Sequence, residues 1–251
     1  MAEATVTPQK RLSRVGKRPV SVPKSVKVNV TGTHIDIQGP KGKLALDLPP
    51  SVSIKMDGEK ILLESSAEGR VYLWGFWVER PGGAGGAEPP AAGEYVAFAA
   101  FRDLDEQAET ALAVEAFTWL RALVESGSSV AVYHYSAYEV AAIKTLADRL
   151  DDPLFAWADR YAQEQFVDLL ELVKTHYFGV SGLGLKMVAS QGAGFRWRDE
   201  DPGGLNSQRW FADAVHEESE PVRSAARQRV LDYNEDDVTA TARVRAWLRA
   251  S

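Results

Sequence analysis

The chain has 251 residues, no cysteine, 45% apolar and 25% charged residues, and a formal net charge of −6. That composition is globular, and the lack of cysteine excludes disulfide frameworks, thiolate zinc sites, iron–sulfur clusters and cysteine nucleophiles. No apolar run reaches the ~20 residues of a membrane-spanning helix, and the polar, basic start has no hydrophobic signal region, so a cytoplasmic protein without membrane partners is expected.

Charge is uneven along the chain. Residues 1–66 hold 11 Lys+Arg against 6 Asp+Glu, and residues 67–251 hold 18 against 29. A basic head therefore precedes an acidic body, which suggests two modules with different partners. Residues 1–18 read as a flexible basic arm, with Lys10, Arg11, Arg14, Lys17 and Arg18 suited to phosphate contacts or simply solvated. From Val26 onward apolar residues alternate in five short runs: Val26 to Val30, Ile35 to Ile37, Leu44 to Leu48, Val52 to Met56, and Ile61 to Leu63. Period two predicts strands with one buried face. Thr31-Gly32-Thr33, Gly39-Pro40-Lys41-Gly42, Pro49-Pro50 and Asp57-Gly58 supply the turns, so 19–64 reads as a small antiparallel meander.

Ser13-Arg14-Val15-Gly16-Lys17-Arg18-Pro19-Val20, Val22-Pro23 and Gly39-Pro40-Lys41-Gly42 fall in order within residues 12–64. They resemble the N-terminal domain of bacterial large-subunit ribosomal protein six. The resemblance implies ribosomal RNA as a partner, through Arg14, Lys17, Arg18 and Lys41. It stops near Glu64, and the second copy of the small domain that the family carries is missing from this sequence.

The body, 65–251, reads differently. Val71 to Val78 and Tyr95 to Phe101 are strand-length runs flanking a Gly/Pro/Ala-rich stretch, which predicts a hairpin with a long tip. Asp105 to Glu125 reads as a helix with Leu112, Ala116, Leu120 and Leu123 on one face and Gly127 as terminator. A short strand is expected at Val130 to Tyr135, a helix at Ser136 to Leu150, and a strand end at Phe166 to Leu169 leading into a helix to Tyr177. Further helices are expected near Gly182–Ala189, Ser207–His216, Pro221–Asp232 and Glu235–Arg249. This order predicts a mixed α/β sandwich.

Two acids sit on apolar stripes. Glu139 lies four residues before Ile143, with Leu146 and Leu150 following; Asp237 lies four before Thr241, with Val244 and Leu248 following. Glu235 and Asp236 are expected to point away from that stripe. Capping also explains both acids, since Ser136-x-x-Glu139 has the spacing of a capping box and Asn234 that of an N-cap before Asp237. If instead the acids are buried together, they need partners or a metal, and carboxylates without thiolates suit Mg²⁺ or Mn²⁺.

Tyr233-Asn234-Glu235-Asp236-Asp237 is similar to the Tyr-x-x-x-Asp third motif of RNase H-like 3′–5′ exonucleases. Tyr133 to Glu139 is similar to their second motif, with Glu in place of Asp. Phe166-Val167-Asp168-Leu169 and Ser181 to Ala189 fit the RNase H-like domains attached to RecB-type nucleases. The resemblance spans roughly residues 64–248. It implies an RNase H-like mixed sheet flanked by helices, two divalent metals and phosphodiester hydrolysis. Glu64, Glu139 and Asp237 would hold metal, Tyr233 would orient the attacking water, and Lys186, Arg196, Trp197 and Arg198 would meet nucleic acid. The first motif, Asp-x-Glu, finds only Leu62-Leu63-Glu64. Ile61 to Glu64 is expected to serve as that opening strand, with Leu62 where the bridging aspartate belongs, so weak or absent activity is expected. A noncatalytic nucleic-acid-binding module is the alternative.

Overall fold

The computed structural model describes residues 20–31, 34–47, 52–57, 60–65, 70–79, 93–127, 129–177 and 182–250. The chain divides into two compact units, Met1–Arg70 and Val71–Ser251.

The described strands of the first unit form two antiparallel sheets rather than one meander. One has the order β2 (Lys27–Thr31), β3 (His34–Gly39), β4 (Gly42–Asp47); the other has β1 (Val20–Ser21), β6 (Lys60–Ser65), β5 (Val52–Asp57). Alternation sets the faces of β2, where Val28 and Val30 are half-buried between exposed Lys27, Asn29 and Thr31. Register places Val30, Ile35 and Leu46 in one cross-strand row and Val28, Ile37 and Leu44 in the next. Ile35 is buried, yet Leu44 and Leu46 are 61% and 52% exposed, so the apolar face expected of β4 is not covered.

In the second unit β7 (Leu73–Val78) pairs antiparallel with β8 (Glu94–Ala99), as the sequence pattern predicts. Helix α1 (Glu106–Glu125) starts where the Asp105 carboxylate accepts from Ala108 N at 2.7 Å. It ends before Gly127, whose φ of +84° suits a residue without a side chain. Its buried face, Leu112, Ala113, Ala116, Phe117 and Leu120, builds a first core with Trp74, Ile143, Leu146 and Phe155. β9 (Val132–His134) lies parallel to β10 (Phe166–Asp168). Between them run α2 (Tyr138–Arg149) and α3 (Pro153–Gln165). No helix was expected at α3, although Asp152 accepting from Leu154 N at 2.8 Å and Pro153 in the first turn are helix-start signals. Phe155, Ala158 and Ala162 then give its buried ridge.

After β10 follow α4 (Leu169–His176), α5 (Leu185–Gln191), α6 (Gly204–His216) and α7 (Glu220–Ala250). A second core joins Tyr135, Leu169, Val173, Val188, Ala189, Ala240 and Val244. The whole is mixed α/β, as expected. The two helices expected around Asn234 are one: α7 is continuous over 31 residues. Asn234 is a poor helix former, but its side-chain oxygen accepts from the Tyr95 hydroxyl at 2.8 Å, and this tertiary bond outweighs the local preference. Among the described residues no helix is long and apolar enough to cross a membrane.

Candidate active site

The middle of α7 carries the site. Tyr233 and Asp237 are one turn apart and so share a face. Asp237 Oδ1 accepts from the Trp197 indole N–H at 2.7 Å, and the Tyr233 hydroxyl is close enough to interact with the same carboxylate. Burial pushes Asp237 above the ordinary carboxylate range; the Trp197 hydrogen bond, the nearby Tyr233 hydroxyl and the Lys186 charge oppose this without cancelling it. The Tyr233 hydroxyl is likewise raised, first by burial and then by the Asp237 charge. Lys186 Nζ lies 5.1 Å from the Tyr233 ring centroid and 6.0 Å from that of Trp197, and donates to the Pro202 carbonyl. Burial lowers its pKa, against the pull of Asp237, Asp201 and Asp199.

Neither capping explanation holds. Asn234 lies inside α7, so it caps nothing and Asp237 is not in a first turn. Ala137 is the N-cap of α2, without a side-chain capping bond, so Ser136 and Glu139 form no capping box. Ser136 instead has φ +79°, a strained value for a residue with a side chain. Its amide donates to Asp168 Oδ1 at 2.9 Å, and the same oxygen accepts from Leu170 N at 2.9 Å. Asp168 thus caps α4 and ties it to the end of β9, a structural role. His134 stands beside Asp168 in register. Its Nδ1 lies 2.6 Å from the Ser136 carbonyl, which only accepts, so Nδ1 carries the proton. Glu139 Oε2 lies 3.7 Å from that nitrogen, beyond hydrogen-bond length; it is buried and has no hydrogen-bond partner.

The placement of Asp236 corrects the expected stripe. Asp236 is buried, and the buried ridge runs Asp236, Ala240, Val244 rather than through Asp237 and Thr241. Its carboxylate accepts from the Arg198 backbone N at 2.7 Å and from Arg198 Nε at 2.8 Å. Arg198 also donates to Glu235 Oε2 and to the Asp232 carbonyl. A reversed reading of the stripe by one position, with an arginine as partner, would have found Asp236.

Lys186, Trp197, Tyr233 and Asp237 are therefore brought together. Arg196 is exposed, and Arg198 is engaged by α7 rather than turned to solvent partners. Glu64 lies in β6 opposite Ser53, and its side chain falls outside the described residues. β6 pairs with β5 and β1, so Ile61 to Glu64 is a strand of the first unit's sheet, whereas β7 pairs with β8 alone among the described strands. Arg14, Lys17 and Arg18 lie outside the described residues; Lys41 is exposed in the β3–β4 turn. Among the described residues no three His, Asp or Glu side chains gather to hold a metal ion. The Glu139 oxygen, which accepts no hydrogen bond, and the Asp237 carboxylate are nevertheless hard oxygen donors, which fit a divalent cation such as Mg²⁺ or Mn²⁺ in kind.

Comparison with known proteins assigns the second unit. The RNase H superfamily model matches residues 90–249. The chain belongs to the RNase H superfamily. The matched stretch contains Glu139, Lys186, Trp197, Tyr233 and Asp237; it begins after β7 and leaves out Glu64. Domains of this superfamily generally use divalent metals on nucleic acid. The RNase H domain shares the chain with a different likeness. Over 59 residues the chain is 39% identical to large ribosomal subunit protein uL6 of Crocosphaera subtropica, covering 24% of this chain and 33% of that protein. It is 42% identical over 59 residues to uL6 of a Nostoc species, covering 24% and 32%. It is 40% identical over 57 residues to uL6 of Carboxydothermus hydrogenoformans, covering 23% and 31%. The chain thus spans about a third of the length of these relatives, and it is chimera-like. No solved structure matches it.

Proposed function

We propose that the second unit is a divalent-metal-dependent phosphodiesterase domain of the 3′–5′ exonuclease type, with weak activity because the sequence before it reads Leu62-Leu63-Glu64 and lacks the first-motif aspartate. The observation that carries this reading is Asp237: a half-buried carboxylate inside a helix, where capping does not explain it, accepting from Trp197 and close to Tyr233 and Lys186. Glu139 supports it with a buried oxygen that accepts no hydrogen bond and lies 3.7 Å from His134 Nδ1. Asp237 and Glu139 would hold Mg²⁺ or Mn²⁺. The metal, when bound, supplies water activation and leaving-group stabilisation. Tyr233 orients the attacking water, and Lys186 and Arg196 contact phosphate. The boundaries that go with this reading are 1–18 for the arm, 19–64 for the ribosomal-protein-like module and 65–251 for the nuclease domain, in a cytoplasmic protein.

The test is Mn²⁺-dependent degradation of single-stranded DNA by the chain and by Leu62→Asp. Weak degradation by the parent and stronger degradation by the variant is expected. Equal inertness of both would overturn the assignment of Leu62 and Glu64 to the first motif.

A second reading concerns the head alone. The uL6 likeness and the basic residues Arg14, Lys17, Arg18 and Lys41 favour ribosomal RNA binding. Affinity for ribosomal RNA that falls steeply with salt is expected if the head acts so; salt-independent or absent binding would remove this reading.

A further inference from the structure

We propose that Trp197 is a positioning residue for Asp237: its indole N–H fixes the carboxylate and so decides which oxygen lone pairs face a cation. The proposal rests on the reading of Asp237 as a metal ligand. Trp197 was expected to stack on bases, but its polar edge is turned inward, onto Oδ1 at 2.7 Å. Its ring meets Phe195 edge-on, at 4.9 Å between centroids and 89° between planes, and packs against the second core.

The segment that carries Trp197 is tied down on both sides of it. Before it, Phe195 N donates to the Ala189 carbonyl of α5 at 2.8 Å. After it, Arg198 donates to Asp236, Glu235 and the Asp232 carbonyl of α7, and Asp199 accepts from Arg229 Nε at 2.6 Å. The strap thus grips α7 at 229, 232, 235 and 236, and sets the indole against 237. A donor held this way cannot follow the carboxylate if it turns; the carboxylate is held to the donor.

The chemistry of the donor matters as much as its place. A carboxylate offers about four lone-pair positions. Trp197 takes about one of them, which leaves about three that a cation could share with the neighbouring Tyr233 and Lys186. The indole N–H is a donor without charge and without an acceptor lone pair. It orients the carboxylate while neither repelling a cation, as a guanidinium or ammonium would, nor competing to coordinate it. Partners of this kind, one bond behind a metal ligand, are worth about 10–100-fold in metal affinity.

The experiment is Mn²⁺ titration of the full chain, by calorimetry and by the electron paramagnetic resonance of free Mn²⁺, for the parent, Trp197→Phe, Trp247→Phe and Asp237→Asn. Trp247 packs on Tyr177 in the same core, with ring centroids 4.5 Å apart, so its replacement removes comparable packing without touching the Trp197 donor to Asp237. Trp197→Phe is expected to weaken Mn²⁺ binding about 10–100-fold, while Trp247→Phe leaves it unchanged. Equal weakening by both would mean that Trp197 only fills space, which overturns the proposal. Unchanged affinity in Trp197→Phe, with binding lost in Asp237→Asn, would overturn the proposal and leave Asp237 a ligand. No Mn²⁺ uptake by the parent, or full uptake by Asp237→Asn, would overturn Asp237 as a ligand and the proposal with it. If Trp197→Phe does not fold by circular dichroism, Trp197→Tyr, which puts no donor at the Nε1 position, carries the same expectation.

Discussion

Asn234 of α7 lies directly on Gly75 of β7: a Cβ built on Gly75 would fall 1.7 Å from Asn234 Oδ1. That oxygen also accepts from the Tyr95 hydroxyl on β8, so helix and hairpin meet at one polar contact next to Tyr233. Gly75→Ala is expected to push α7 away and to destabilise the chain by about 1–3 kcal/mol, the cost of overfilling a packed site. A shift of the urea midpoint without a change of slope would bear this out. A neutral Gly75→Ala would mean that α7 is not pressed on the hairpin there.

Glu109 is the second tie between elements. It is buried on α1, accepts from Val71 N at 2.8 Å and pairs with Arg149 Nη2 at 2.7 Å, joining the entrance to β7 with the end of α2. Glu109→Ala strands Val71 N and leaves Arg149 with the more exposed Glu106, 3.4 Å from its Nε. A loss of about 3 kcal/mol is expected, the lower end for breaking a buried pair because Arg149 keeps some access to water. Chemical denaturation of the variant checks this, and a loss below the noise of the method would make the pair dispensable.

Long, strongly patterned elements were legible in the sequence. The alternating strands of the head, the β7–β8 hairpin, α1 with its Gly127 stop, and the Ile143 and Leu146 face of α2 all follow from local sequence pattern. What escaped depends on contacts made across the chain. The join of two expected helices into α7 rests on the Tyr95–Asn234 bond, from residues 139 apart. The burial of Asp236 depends on Arg198, and no local pattern announces a pairing over 38 residues. The exposed Leu44 and Leu46 mislead in the opposite sense, because alternation gives a face and not what covers it. At the site, Tyr233 and Asp237 were legible as a motif at one-turn spacing. The Trp197 bond was not, since an aromatic between two arginines reads equally well as a stacking platform.

Burying Asp237 has a cost that its replacement should reveal. Its folded pKa is raised above the ordinary carboxylate value, chiefly by burial, so the folded state holds a proton that the unfolded chain releases. Stability is then lost as pH rises from the unfolded carboxylate range through the folded value. Asp237→Asn keeps an acceptor for Trp197 and removes the charge. It is expected to raise stability at pH 7 by about 1 kcal/mol, the usual yield of relaxing a strained functional site. It should make no difference at about pH 3, below the unfolded carboxylate range. Urea titrations of both proteins at the two pH values test this, and a variant less stable than the parent at pH 7 would show that the Asp237 charge is compensated.

His134 makes the opposite kind of contribution. Burial lowers its pKa, but the nearby Glu139 carboxylate, the Ser136 carbonyl at 2.6 Å and the Asp168 charge together outweigh burial, and the net shift is upward. A histidine whose folded pKa exceeds its unfolded value stabilises fully below the unfolded pKa, about 6.5. The contribution fades as pH rises through the folded value. His134→Gln is therefore expected to cost most near pH 5 and least near pH 8, the span over which histidine titrates. The same substitution keeps a donor for the Ser136 carbonyl, so the strained turn at Ser136 should persist and the pH-dependent part should stand out. Denaturation midpoints for parent and variant across that span give the difference curve. A flat difference would mean that the Glu139 carboxylate, 3.7 Å away, does not bind the imidazolium.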